Sequence, residues 1–187
     1  IEKVNPDNIY FVWLQGDGTP TTSSNRLKVS GTTGDFTATL TGLEPNKKYS
    51  FRAYAINSMG TSYGDVMSFS TVAGLPSVSS VDVSKIESTS ATISANVTDQ
   101  GGDTVTEVGF YYSTEESVPI EKSTKVTKTY TGSVFSASLS GLSIFTTYYV
   151  KAYAVNSAGT SYSNVVSFKT LASTPLVSTF GSSDVTS

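Results

Sequence analysis

The sequence predicts an all-β fold built of tandem domains, and three observations carry that prediction. The first is an internal repeat: Tyr49–Thr71, YSFRAYAINSMGTSYGDVMSFST, returns 99 positions on as YYVKAYAVNSAGTSYSNVVSFKT at Tyr148–Thr170. Extended back without a gap to Phe36 and Phe135, the match holds 19 identities in 36 pairs, too many for shared composition alone. A period this long exceeds that of solenoid repeats, so each copy is expected to be a domain with its own core. The second is composition: 37% hydrophobic and 11% aromatic residues can fill two small cores, while the 14% charged fraction is low and Ser, Thr and Gly replace it. The third is periodicity. Apolar residues alternate with a period of two in several segments, and none shows a helical pattern.

In chain order, Asn8–Leu14 opens with a short run of β-branched and aromatic residues, a strand signal with no clear inward set. Gln15–Asn25 is a loop rich in Gly, Ser and Thr, and Arg26–Ser30 follows as a short edge strand. Gly31–Gly34 turns into Asp35–Leu40, where Phe36, Ala38 and Leu40 alternate with polar residues. From Tyr49 the alternation places Tyr49, Phe51, Ala53 and Ala55 on one face and Arg52, Tyr54 and Ile56 on the other. Asn57–Gly60 reads as a hairpin turn, Thr61–Thr71 as the returning strand, and Val72–Pro76 as a short linker. The second copy adds strands at Val78–Ile86 and Thr89–Thr98, then Val105–Ser113 and a polar edge strand at Glu121–Tyr130. Val134–Leu139, Tyr148–Asn156 and Thr160–Thr170 then repeat the first copy.

The leading motifs are now in view. Leu43-Glu44-Pro45 followed by Tyr49–Asn57 and Gly60 resembles the E–F corner, strand F and F–G turn of fibronectin type III domains, and Leu142, Tyr148, Val150, Ala152, Ala154, Asn156 and Gly159 repeat the pattern. The resemblance implies tandem immunoglobulin-like (fibronectin type III-like) β-sandwiches, with Tyr49 and Tyr148 as "tyrosine corners" bonded back to the chain near the preceding Leu. Thr-Glu-x-Gly-Phe-x-Tyr-Ser at Thr106–Ser113, with Gly-Thr-Ser-Tyr after each turn, is similar to tandem modules of bacterial surface and secreted proteins. The strand-B tryptophan of animal modules is missing from Thr89–Thr98, and no Arg-Gly-Asp occurs, so integrin recognition does not carry over.

The repeat also acts as a ruler. Residues 1–74 form a module lacking counterparts of its first strands, 75–173 a complete module, and 174–187 a linker and the start of a third. The chain is therefore expected to be a piece of a longer array, cut inside modules at both ends and with an N-terminus that is cut or processed. The first module is expected to be completed by something, because a sandwich without two strands exposes core and an unpaired edge.

Few activities remain open. There is no His and no Cys, which removes thiolate nucleophiles, Ser-His-Asp triads and ordinary zinc sites. No catalytic residue, cofactor or metal site is assigned, and no enzyme is expected. A net charge of −3 with scattered basic residues gives no nucleic-acid footprint, and no apolar run suits membrane insertion. Asp99–Asp103 and Gln15–Gly18 carry carboxylates on glycine loops, as calcium sites do, but have too few ligands and read as plain loops, and Glu115-Glu116 lies on a turn where the side chains diverge. Arg52 with Tyr54, and Tyr149, Lys151 and Tyr153, form a candidate outward face for a sugar or peptide. Asp103-Thr104-Val105 resembles a bacterial O-glycosylation acceptor at Thr104, whereas the Asn96 sequon sits in a strand. The expected function is a non-catalytic extracellular spacer or adhesion scaffold on a bacterial surface, with a protein or cell-surface glycan as partner. The alternatives are a carbohydrate-binding accessory module and a subunit assembled with another copy by strand pairing.

Overall fold

The computed structural model describes residues 8–29, 35–132 and 134–175. The turn expected at Gly31–Gly34 and the third-module strand expected from Leu176 lie outside them. Among the described residues the regular structure is antiparallel β-sheet, and no helix is long and apolar enough to cross a membrane. The chain divides into two compact units. The first holds the described residues to Pro76 with Asp99–Val105 and Val155–Thr160; the second holds Ser77–Thr98, Thr106–Ala154 and the described residues from Ser161.

The first unit is one sheet. Its strands are β1 (Ile9–Gln15), β2 (Asn25–Val29), β3 (Lys48–Asn57), β4 (Gly60–Tyr63) and β5 (Met67–Ser70). They run in the order β2-β1-β3-β4, with β5 also paired to β3. The register sets Phe11 opposite Ala53 and Leu27, and Val12 opposite Arg52 and Arg26, so the two faces alternate as period two requires. Asn57 and Gly60 face each other across the hairpin, where Gly60 takes φ of 144°.

The second unit is a closed immunoglobulin-like sandwich. Its strands begin with β6 (Ser77–Val78), β7 (Asp82–Ser84), β8 (Ser90–Ala95), β9 (Val97–Asp99), β10 (Glu107–Ser113) and β11 (Thr124–Lys128). They end with β12 (Phe135–Ser140), β13 (Thr147–Asn156), β14 (Gly159–Tyr162) and β15 (Val166–Lys169), of which the last residue of β9, the last two of β13 and the first two of β14 fall in the first unit. One layer is β12-β8-β7, with β6 on β9 beside it; the other is β11-β10-β13-β14, with β15 also on β13. Between the layers, Ala91, Ile93 and Ala95 of β8 and Phe135, Ala137 and Leu139 of β12 are buried against Phe110, Val150 and Phe168.

Both tyrosine corners are present. The Tyr49 hydroxyl accepts the Glu44 N–H at 3.0 Å, and the Tyr148 hydroxyl accepts the Ser143 N–H at 2.9 Å. Each phenol removes an unpaired backbone donor next to the Leu that plugs the corner.

One expected strand is absent. Residues 35–40 carry the alternation of Val134–Leu139, yet they pair with no strand among the described residues. Phe36 still packs on Phe11 (centroids 5.3 Å apart), as Phe135 packs on Phe110 at 5.0 Å. The segment therefore lies where its counterpart lies. What differs is the neighbour: β12 is held by β8, and among the described residues no counterpart of β8 stands beside 35–40. Strand structure needs a partner for its backbone groups, whatever the side-chain pattern.

Candidate functional site

Three places carry the residues singled out by sequence: the outer faces of the long sheets, the loop at Asp99–Thr104, and the uncovered face of the first unit.

The outer faces differ from expectation. Tyr54 and Tyr153, expected to face solvent, are only 2% and 1% exposed. Period two selects the sheet face correctly, but neighbouring strands then close over both rings. Tyr54 stacks on Tyr10 (4.9 Å, 9° between planes) and abuts Tyr63, while Tyr153 lies against Tyr111 with Lys125 Nζ 5.0 Å from its centroid. Arg52 is half-buried: its Nε donates to the Pro20 carbonyl at 2.6 Å, and its guanidinium sits 3.7 Å from the Tyr63 centroid. Tyr149 and Lys151 are half-buried, and Lys151 Nζ lies 5.2 Å from the Tyr162 centroid. The accessible aromatics on these faces are thus Tyr63 and Tyr162, 37% and 43% exposed. They end the two Gly-Thr-Ser-Tyr stretches, which was the available signal for them.

The motif at Thr106–Ser113 explains Tyr153. The Tyr153 hydroxyl donates to Glu107 Oε1 at 2.7 Å, and Lys125 Nζ donates to the same oxygen at 2.8 Å. Gly109 leaves room for the ring, since a Cβ there would sit 2.8 Å from the Tyr153 ring and 2.1 Å from the Val126 carbonyl. In the first unit the equivalents of Glu107 and Gly109 are Asn8 and Tyr10. There the Tyr54 ring stacks instead, and its buried hydroxyl has no hydrogen-bond partner among the described residues. Tyr153→Phe is therefore expected to cost about 1.5 kcal/mol, and Tyr54→Phe to change stability by less than about 0.5 kcal/mol. Denaturant titration followed by far-UV circular dichroism, and by the single tryptophan, Trp13, separates the two units.

The same cluster sets local charge. Lys125, then the Tyr153 hydroxyl, hold the Glu107 carboxyl below its ordinary value, and Glu107 in turn raises Lys125. Burial pushes the Tyr153 and Tyr162 phenols up. Because the folded Glu107 value is depressed, its stabilisation is present above the ordinary 4.5 and is lost as pH falls through the folded value. Both groups are partly exposed, so the contribution is screened and amounts to no more than about 1 kcal/mol. Glu107→Gln is expected to flatten the acid limb of the stability–pH curve by lowering its high-pH plateau, while leaving stability at low pH nearly unchanged.

The Asp99–Thr104 loop uses its carboxylates on its own backbone. Asp99 Oδ1 accepts the Gly101 N–H at 2.8 Å, and Asp103 accepts the Thr104 N–H at 2.7 Å and the Ser157 hydroxyl. The Ser157 hydroxyl, then the Thr104 N–H, lower the Asp103 value. Within this first unit the Gly74 N–H also donates to the Gly101 carbonyl at 2.8 Å, and Asn156 Nδ2 donates to the Gly74 and Gln100 carbonyls. Gly101, at φ of 70°, is required by that approach, because a Cβ would fall 2.2 Å from the Gly74 oxygen. Asp17 of the other acidic loop pairs with Lys48 at 2.5 Å. Among the described residues no three His, Cys, Asp or Glu side chains converge as metal ligands. Thr104 is exposed beside this loop.

The third place is a groove of about 410 Å³ on the inner face of the first unit, lined chiefly by Phe11, Ala38, Leu40, Leu43, Phe51 and Phe69. Their counterparts Phe110, Ala137, Leu139, Leu142, Val150 and Phe168 are all buried, at most 6% exposed. Here Ala38 is exposed and the three phenylalanines are only half-buried.

No protein-family model and no curated protein sequence matches this chain. Among solved structures it is similar to the chicken CNTN1 FN1-FN3 domains, at 18% identity and a TM-score of 0.42, over 90% of this chain and 55% of that one. The chain thus spans about half the length of that structure. It is also similar to the sensor domain of the anti-sigma factor RsgI4 of Pseudobacteroides cellulosolvens, at 29% identity and a TM-score of 0.40, over 53% of this chain and 97% of that one.

Proposed function

We propose that the chain is a non-catalytic scaffold of tandem β-sandwich modules, working outside a bacterial cell as spacer or adhesion stalk. One observation carries this reading: the side chains with chemistry to offer are committed to the fold. Glu107 and Lys125 hold Tyr153, Asp99 and Asp103 cap their own loop, and Arg52 holds the Pro20 carbonyl. A duplicated architecture whose conspicuous residues are all structural serves to set distance and present surfaces. Thr104, exposed on a loop, is the place proposed for an attached sugar, and the intact mass of protein from its own host would carry that increment.

Carbohydrate binding is a second reading because a basic side chain faces an accessible tyrosine at the same place in both units, Arg52 on Tyr63 and Lys151 on Tyr162. A glycan array with the purified chain separates the two. The scaffold reading expects no glycan above background; a signal lost in the Tyr63→Ala, Tyr162→Ala double variant replaces it with the second. Tyr54→Ala and Tyr153→Ala are unsuitable, since both remove buried rings.

A further inference from the structure

We propose that the inner face of the first unit, uncovered among the described residues, is a docking groove for an extended polypeptide strand of the type Ser90–Ala95, which pairs antiparallel with residues 36–41 and completes a second layer. The second unit states what covers such a face. There β8, with sequence SATISA, pairs with β12 through Phe135↔Ala95, Ala137↔Ile93 and Leu139↔Ala91, and buries its alternate residues while the intervening Ser and Thr do not reach the core. Shifted by 99 positions, those partners become Phe36, Ala38 and Leu40, the same alternation on the groove wall. The rest of the template is also in place: Phe36 already packs on Phe11, and Phe51 and Phe69 (T-shaped, 5.8 Å) form the floor.

The groove's chemistry selects the occupant. Its wall offers unpaired backbone along 36–41 and its floor offers rings, so it suits a chain that brings a hydrogen-bonding edge and one apolar face. Described acidic or basic side chains do not line it, which disfavours a charged ligand. A helix would leave the backbone of 36–41 unpaired, and a small apolar molecule would do the same. The narrow side chains of an Ala-x-Ile-x-Ala strand match the depth that Ala91, Ile93 and Ala95 fill in the second unit.

The test uses the full chain and a synthetic peptide of residues 87–99, ESTSATISANVTD. Trp13 lies on β1 of the first unit and the peptide contains no tryptophan, so Trp13 fluorescence reports the first unit alone. Saturable binding is expected, raising the Trp13-detected melting midpoint by on the order of 10 °C at about a hundredfold excess over Kd. The peptide carrying Ile93→Asp is expected to lose all of that shift. Ala38→Asp in the protein is expected to abolish binding while leaving the peptide-free melting midpoint unchanged, because Ala38 is exposed. No shift with the parent peptide, or an equal shift with the Ile93→Asp peptide or in the Ala38→Asp protein, overturns the proposal. Self-association that Ala38→Asp leaves intact, together with no peptide uptake, overturns it equally.

Discussion

Phe110→Ala is expected to destabilise the second unit by about 3–5 kcal/mol, whereas the equivalent Phe11→Ala should cost the first unit only about 1–2 kcal/mol. The two phenylalanines occupy the same position of the repeat, and each packs on a second ring from the opposite wall. Their surroundings differ. Phe110 is 0% exposed and packs on Phe135, so truncation leaves a closed cavity that relaxes poorly. Phe11 is half-buried at the edge of the groove, where water already reaches part of the ring and the neighbours can settle. Denaturant unfolding with Trp13 fluorescence for the first unit and circular dichroism for the whole chain measures both. Equal losses would mean that the first unit is as closed as the second.

Gly109→Ala is expected to lower the stability of the second unit by about 3 kcal/mol, the upper end of the usual cost of overpacking. The added methyl would meet the Val126 carbonyl at 2.1 Å and both a ring carbon and the hydroxyl oxygen of Tyr153 at 2.8 Å. The carbonyl belongs to the backbone of β11, so β10 and β11 must separate for it, losing ladder bonds at the sheet edge. Removing the ring does not relieve that contact. Gly109→Ala combined with Tyr153→Ala should therefore be less stable than either single variant, as read from thermal unfolding. A double variant that recovers the stability of Tyr153→Ala would place the conflict at the ring instead. At the equivalent position of the first unit, Tyr10 stands opposite Tyr54 in register and the two rings stack at 4.9 Å.

These contrasts mark what can be read from residues alone. The strands of the second unit follow from alternation because each has one buried face: Ala91, Ile93 and Ala95 are inside, and Ser90, Thr92 and Ser94 are not. The tyrosine corners follow from a local spacing, Leu to Tyr, that closes a short loop in either unit. Residues 35–40 have the same alternation but no strand, because pairing is a property of two segments and the pattern reports one. Tyr54 and Tyr153 show a second limit. Alternation put them on the outer face, yet their burial depends on Tyr10, Tyr111 and Lys125 arriving from other strands. Only Glu107 and Gly109 hinted at it, and their purpose becomes plain once Tyr153 is seen across β10. The acidic loop at Asp99–Asp103 likewise owes its two glycines to close backbone approach, at Gly74 and at Pro45, rather than to a cation.

Among the described residues, two copies of one pattern differ in completion: a closed sandwich in the second unit and a single sheet with a bare inner face in the first. Residue-resolved amide hydrogen exchange tests it most directly, because β12 and residues 36–41 are equivalent in sequence and differ in having a strand partner. The account predicts strong protection across Phe135–Ser140 and exchange close to the open-chain rate across 36–41. Comparable protection in the two segments, in the chain alone and without added peptide, would contradict it.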